Sequence, residues 1–239
     1  MRGIFHATGL INSIAGILFP SECPSCQART DNLRYAPFCT KCWSAIGKYS
    51  GPACSICSAP FSSSHGGICS DCMRRRPSFS RAMSYGLYKD ELASAIHFYK
   101  FHGIRRLHRP LGRFLLDFDL EGVDAVVPVP LSIRGLRERG FNQSLLLAKI
   151  VSDRSGIPLI IDGLLKISDT PPQIGLSARK RRTNLKGVFE TVRDFPGMRL
   201  LLVDDVMTTG ATADECSLRL RKAGAEDVTV LTLARAAIL

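Results

Sequence analysis

Tryptophan is almost missing from this sequence, with Trp43 the only one in 239 residues, and acid is scarce beside base: 21 Asp and Glu face 32 Lys and Arg, a formal charge of +11. Long apolar runs are missing too. The best candidate, GLINSIAGILF at 9–19, is too short to span a bilayer. Its only flanking charge is Arg2, and Glu22 precedes Cys23 where a lipoprotein cleavage site would differ, so neither a membrane span nor a secretion signal is expected. Ile4, Phe5, Leu10, Ile11, Ile14, Ile17 and Leu18 instead recur at helical spacing and predict a buried amphipathic helix. A hydrophobic share of 45% excludes general disorder and suffices for one medium domain and a small one.

What is abundant is cysteine in pairs. Cys23-x2-Cys26, Cys39-x2-Cys42, Cys54-x2-Cys57 and Cys69-x2-Cys72 fall within fifty residues, with Cys216 alone far downstream. Gaps of twelve and eleven residues inside the two halves suit a knuckle, a short hairpin and a second knuckle. Each half offers four thiolates to one tetrahedral Zn2+, which leaves no open position, so two structural zinc ions are expected. A cross-braced pairing would use the same eight thiolates. A disulfide framework is disfavoured because CxxC pairs are cramped for that bond. With eight thiolates and two zinc ions the charge falls to about +7, still open to an anionic partner. Reduced, metal-bound thiols point to a cytoplasmic protein.

The composition changes near residue 80. Met73-Arg74-Arg75-Arg76-Pro77-Ser78 reads as a linker, giving an N-terminal helix and double zinc ribbon over 1–80 and a second domain over 81–239. That domain has α/β grammar. Helical faces recur over 88–116 with a break around Gly103, a strand is expected over 123–129, a helix over 142–151 and strands over 157–161 and 200–203. A helix over 211–223, closed by Gly224, and a strand over 228–233 complete it. Strands separated by helices favour a parallel sheet covered on both faces.

The stretch VDDVMTTGAT, 203–212, then stands at the carboxyl end of a buried strand and runs into a helix start, where open α/β sheets bind ligands. Backbone amides of Thr208, Thr209, Gly210, Ala211 and Thr212, with Gly210 free in φ, make a phosphate cradle. Asp204 and Asp205 cannot serve a phosphate directly but suit sugar hydroxyls or Mg2+. A ribose 5-phosphate group fits both halves of the stretch. The bland alternative is a polar strand-to-helix turn with Asp205 and Thr208 as caps.

Two further stretches are basic. Pro128 to Leu131 leaves a strand end on the ligand face, so Pro130 and Leu131 suit a pyrophosphate loop, with Arg134, Arg137 and Arg139 close behind. Gly140 permits a turn and Asn142 a helix cap, although a solvated basic loop remains the alternative. SARKRRTNLK, 177–186, holds five cations and no acid and would serve either as a lid over a substrate or as a track for a nucleic-acid backbone. With Arg74, Arg75 and Arg76, the residues Arg179, Lys180, Arg181 and Arg182 are the candidate nucleic-acid contacts.

VDDVMTTGAT resembles the phosphoribosyl-pyrophosphate (PRPP) signature of type I phosphoribosyltransferases. The CxxC double ribbon, VVPVPLSIRGLRERGFNQSLLLA at 126–148, TPPQIGLSARKRRTNLKGVF at 170–189 and the PRPP loop together resemble the ComF/GntX family of competence-related proteins over nearly the whole chain. The resemblance implies a type I phosphoribosyltransferase-like parallel sheet flanked by helices, PRPP bound with Mg2+, and Asp204 and Asp205 as ribose-contacting and catalytic groups. The Lys100-Phe101 pair in YKFHG is similar to a family position as well. Implied partners are single-stranded DNA and DNA-uptake or helicase proteins. Two functions follow: a cytoplasmic factor handling single-stranded DNA in natural transformation, or a phosphoribosyltransferase acting on a base or amine.

Overall fold

The computed structural model describes residues 22–62, 64–169 and 183–237. The amphipathic helix expected over 4–18 and the stretch 170–182, which includes Arg179, Lys180, Arg181 and Arg182, lie outside the described residues.

The first ribbon carries the short helix α1 (Thr40–Ser44) and the second the matching α2 (Ser70–Arg74). Next come strand β1 (Arg81–Leu87) and helices α3 (Asp90–Phe101) and α4 (His108–Phe114), the latter two joined by a tight turn at Arg105–Leu107. Strand β2 (Ala125–Pro128) precedes helices α5 (Ile133–Arg139) and α6 (Gln143–Ser155). Two short strands, β3 (Leu164–Lys166) and β4 (Phe189–Thr191), pair antiparallel, and strand β5 (Arg199–Met207), helix α7 (Ala211–Lys222) and strand β6 (Asp227–Arg235) close the fold.

The main sheet is wholly parallel in the order β1-β6-β5-β2. Its strands are apolar runs rather than alternating ones, as a sheet covered on both faces requires. Along β5, Leu200 and Leu202 pack toward α7 residues Ala213, Cys216 and Leu220, while Leu201 and Val203 pack toward α6 residues Leu147, Ala148 and Val151. Helices α6 and α7 therefore lie on opposite faces. The point between β2 and β5, where the chain turns outward in both directions, is a topological switch point of the kind that hosts ligands.

The ribbons are built into this architecture. Cys54, Ile56, Cys57 and Cys72 share the α7-side core, whereas Cys23, Phe38, Cys39, Cys42 and Ile46 share the α6-side core. The chain between them passes along β1. Tyr49 N donates to Tyr85 O at 2.8 Å, Ala82 N donates to Ile56 O at 2.6 Å, and Ser58 Oγ donates to Ala82 O at 2.6 Å. These contacts occupy polar groups that an edge strand would otherwise offer to another chain. A column of rings reinforces the junction: Tyr35 stacks on Trp43, Trp43 on Phe114 and Phe114 on Tyr85, with centroid separations of 5.3, 5.8 and 4.4 Å.

Two local readings are corrected, and one strand was not foreseen. The expected strand at 157–161 is reduced to a single parallel bridge from Leu159 to Val126. Residues 134–139, open to a loop reading, form α5, because Ser132 Oγ accepts from Gly135 N at 3.1 Å and Gly140, at φ 75°, ends the helix. Strand β1 shows no clear period because its burial is mixed: Ser84 Oγ meets Thr232 Oγ1 of β6 at 2.7 Å, while the ribbon takes up the Ala82 backbone.

Because Trp43 sits at the ribbon–sheet junction, its fluorescence should follow denaturant unfolding with the same midpoint as far-ultraviolet circular dichroism. An earlier, separate fluorescence transition would mean that the first ribbon is an independent unit.

Candidate functional site

The two ribbons repeat one design. Gln27 and Ser58, each just after the second cysteine of its first pair, take positive φ of 61° and 53°, which closes the knuckle as a tight turn. Gln27 N donates to Cys23 O and Ser58 N to Cys54 O. Burial alone would push the Cys23 thiol up, but backbone amides of Cys39, Ser25 and Cys26 bring it down to about 7. Cys54 is likewise opposed by burial and brought down to about 7 by amides of Cys69, Cys57 and Ile56. A thiolate held by amides is ready for a metal.

The clusters are sequential: Cys23, Cys26, Cys39 and Cys42 in one, Cys54, Cys57, Cys69 and Cys72 in the other, the sulfurs of each within 4.8 Å of one another. The Cys26–Cys39 and Cys57–Cys69 sulfurs are 3.6 Å apart. A tetrahedron with Zn–S bonds of about 2.3 Å has edges of about 3.8 Å, so the donor sets fit Zn2+. Four sulfurs close the coordination sphere, and the metal's part is structural. Cys216 belongs to neither set; it sits on the buried face of α7, where burial pushes its thiol well up.

Asp204 and Asp205 stand in sequence near the carboxyl end of β5. Val129 N donates to Val203 O at 2.9 Å, which sets Pro130 and Leu131, both half-buried, beside the acidic pair. Asp205 is buried and accepts from Lys100 Nζ at 2.8 Å; Asp204 is half-buried and accepts from Ser144 Oγ at 2.8 Å. Burial and the neighbouring Asp205 charge raise Asp204 to about 6, although Lys100 and Ser144 work the other way. Burial disfavours the Lys100 ammonium, but Asp205 and Asp204 outweigh it and hold its pKa above the usual value.

Helices α3, α5 and α6 supply the rest. Asn142 caps α6, its Oδ1 accepting from Ser144 N and Leu145 N, while its Nδ2 donates to Val129 O at 3.1 Å. That double use fixes Ser144 against Asp204. Next to it, buried Gln143 Nε2 has no hydrogen-bond partner among the described residues. Arg139, half-buried at the end of α5, lies over the Phe101 ring at 5.3 Å, next in sequence to Lys100. The turn after β5 has Thr208 exposed, Thr209 and Thr212 half-buried, and Gly210 and Ala211 buried. Gly210, at φ 77°, caps α7 at a position where a Cβ would meet the Met207 methyl at 2.7 Å.

A cleft of about 450 Å³ separates the second ribbon from the start of α7 and is lined by Phe61, Arg74, Arg75, Thr209, Gly210 and Asp214. It brings two of the linker arginines to the turn that opens α7. Both are paired with acid: Arg74 with Asp71, and Arg75 with Asp214 at 3.2 Å. Arg76 is exposed and does not line the cleft.

One residue at this site escapes sequence reasoning. Arg235, buried at the end of β6, donates from Nε to Cys57 O at 2.8 Å and from Nη1 to Met207 O at 3.1 Å, to Ala236 O at 2.9 Å and to Thr208 O. Its Nη2 lies 3.9 Å from Cys57 Sγ. A single guanidinium thus joins the second cysteine cluster to the turn at 207–208. The only sequence signal was a charged residue closing an apolar strand.

Comparison with known proteins agrees with these elements. A family model described as "Double zinc ribbon domain" matches residues 14–73. "Competence protein F" of Haemophilus influenzae is 34% identical over 90% of this chain and 90% of its own. The chain belongs to the competence protein F (ComF) family. Other ComF relatives are "Competence protein ComFC" of Bacillus subtilis, 30% identical over 82% of this chain and 83% of its own, and "DNA utilization protein YhgH" of Escherichia coli K12, 33% identical over 76% and 83%. Among solved structures, a glutamine PRPP amidotransferase of B. subtilis aligns over 52% of this chain and 25% of its own at 27% identity and a TM-score of 0.38, a score too low for structural argument. The parallel sheet flanked by helices and preceded by a double ribbon is the architecture expected. No helix among the described residues is long and apolar enough to cross a membrane.

Arg235→Met should destabilise the protein by about 3 kcal/mol or more, because it strands buried carbonyls on both sides of the junction. Arg235→Lys should recover less than half, since one ammonium cannot reproduce the guanidinium fork. Denaturant titration checks both, and wild-type stability in Arg235→Met would refute the linking role.

Proposed function

We propose that this chain binds PRPP with Mg2+ between the acidic pair and the 208–212 turn, and that it works in handling single-stranded DNA during natural transformation or DNA utilisation. The observation that carries the PRPP reading is the placement of Asp204 and Asp205 at the switch point, one on Ser144 and the other on Lys100, directly before a glycine-hinged helix start. In the ligand-free chain Lys100 neutralises Asp205. A Mg2+-bound ribose presents the same positive and hydrogen-bonding character to the pair, and the freed ammonium then stands beside Arg139 for a pyrophosphate group. The DNA reading is supported by the names of the relatives, which speak of competence and DNA utilisation, and by the charge of +11. Thiols kept for metal fit a reducing compartment and support a cytoplasmic place.

A second reading uses the same site. Asp204, raised to about 6, has the poise of a general base near neutral pH, which favours transfer of ribose 5-phosphate to a base or amine. In that reaction Lys100 and Arg139 would stabilise departing pyrophosphate.

Calorimetry with PRPP and Mg2+ should give saturable binding that Asp204→Asn with Asp205→Asn abolishes while zinc content stays unchanged. Binding needs Asp204 ionised. With a ligand-free pKa of about 6, affinity should therefore fall as pH drops below 6, approaching tenfold per unit, and level off above about 7. Unchanged affinity in the folded double variant would sink the reading, and pyrophosphate release with any of a panel of bases would make transfer the primary function.

A further inference from the structure

A second basic feature lies away from both the phosphate turn and the linker. Leu33 and Arg34 of the first ribbon face Arg106, Arg109 and Arg113 across a groove of about 500 Å³. All four arginines are exposed. Arg109 and Arg113 stand one helical turn apart on α4, where like charges repel, and Arg106 comes from the tight turn just before that helix.

What sets these groups apart is that four arginines without a carboxylate partner line one groove; unpaired arginines occur elsewhere too, Arg76, Arg81 and Arg137 among them. Arg74, Arg75, Arg134, Arg199, Arg219 and Arg221 each have a carboxylate within 4.0 Å. Among the described residues no acid pairs with Arg34, Arg106, Arg109 or Arg113, and the single side-chain hydrogen bond of the four runs from Arg106 Nε to Ala36 O at 3.1 Å. That bond fixes Arg106 on the ribbon. Four guanidinium groups round one groove, with no acid to offset them, form a surface suited to an anion with several phosphates rather than one. Guanidinium is also the cation that grips phosphate oxygens in pairs.

The groove connects with the candidate site along the chain. Lys100, at the end of α3, reaches Asp205; Phe101 follows, 59% exposed and beneath Arg139; Arg106 then enters the groove five residues later. An exposed ring between two basic positions is the alternation that single-stranded nucleic acid favours, with bases on the ring and phosphates on the cations.

We infer that the groove formed by Arg34, Arg106, Arg109 and Arg113 binds the phosphate backbone of single-stranded DNA, and that the strand runs from it past Phe101 toward the acidic pair. This rests on the DNA-handling reading and assigns it a surface. The acid-paired Arg74 and Arg75 are secondary to it.

The test measures binding of a labelled oligothymidylate by anisotropy as salt is raised, using the zinc-loaded full chain. The variant Arg34→Ala, Arg109→Ala, Arg113→Ala keeps Arg106 and its bond to Ala36, so the ribbon's seat on α4 is preserved. It should bind at least about tenfold more weakly at low salt, with a log-log salt slope shallower by about 2, given roughly 0.7 for every phosphate left without a cation. The lysine version of the triple variant should keep most of the slope, because charge is retained. Replacing Arg74, Arg75 and Arg76 by alanine should cost less than the groove variant, and duplex of equal length should bind more weakly than the single strand. A triple variant with wild-type affinity and slope, or a larger loss from the linker variant, overturns the groove assignment while leaving DNA handling intact. Wild-type protein with no salt-sensitive binding overturns the DNA reading itself, whatever PRPP does.

Discussion

Burying a guanidinium is costly unless its donors are met, and Arg235 meets that condition only because two separate parts of the chain arrive at the end of β6 with carbonyls to offer. Cys57 comes from the second ribbon, Met207 and Thr208 from the turn after β5. Neither would hold its place without the other. The same logic runs through the ribbon–sheet junction, where β1 gives its outer edge to Tyr49, Ile56 and Ser58 and where cysteines of the two clusters enter cores on opposite faces of the sheet. Metal binding, edge protection and the shape of the phosphate turn thus belong to one cooperative structure, with the ribbons acting as a clamp across an open edge.

The acidic pair imposes the complementary constraint. Two adjacent carboxylates at a partly buried strand end repel each other, and the chain answers with one cation and one hydroxyl, Lys100 and Ser144, drawn from different helices. This arrangement is stable without ligand yet exchangeable. If PRPP binds as proposed, a metal-bound sugar takes over the role of Lys100, whereas a phosphate there would meet two negative charges. On the same proposal the phosphate falls to the 208–212 turn at the start of α7, so the two chemistries are separated along a few residues of one strand–turn–helix unit.

Much of this was legible in the sequence, and for identifiable reasons. Cysteine spacing specifies the eight ligands because each pair closes a knuckle locally; spacing left a cross-braced pairing open, and the structure makes it sequential. The buried strands β2, β5 and β6 read directly as apolar runs, and Asn142, Gly140 and Gly210 announced a cap and two left-handed turns. What could not be read depends on long-range pairing. Strand β1 carries Ser84, which is met by Thr232 of β6, Lys100 gains its meaning from Asp205 across the fold, and Arg235 looks like a strand end until Cys57 and Met207 are brought to it. The four groove arginines come from three separate stretches, and periodicity on α4 alone does not reveal that the first ribbon adds a fourth cation opposite.

A crystal structure of the zinc-loaded protein grown with PRPP and Mg2+ would put the exchange at the acidic pair to the sharpest test. The 5-phosphate should lie on the backbone amides of 208–212, with ribose hydroxyls and metal at Asp204 and Asp205, Lys100 drawn away from Asp205, and Arg235 unmoved between Cys57 and the turn. Ligand density elsewhere, with the Lys100–Asp205 pair intact and the turn empty, would show that the pair and the turn do not form a PRPP site.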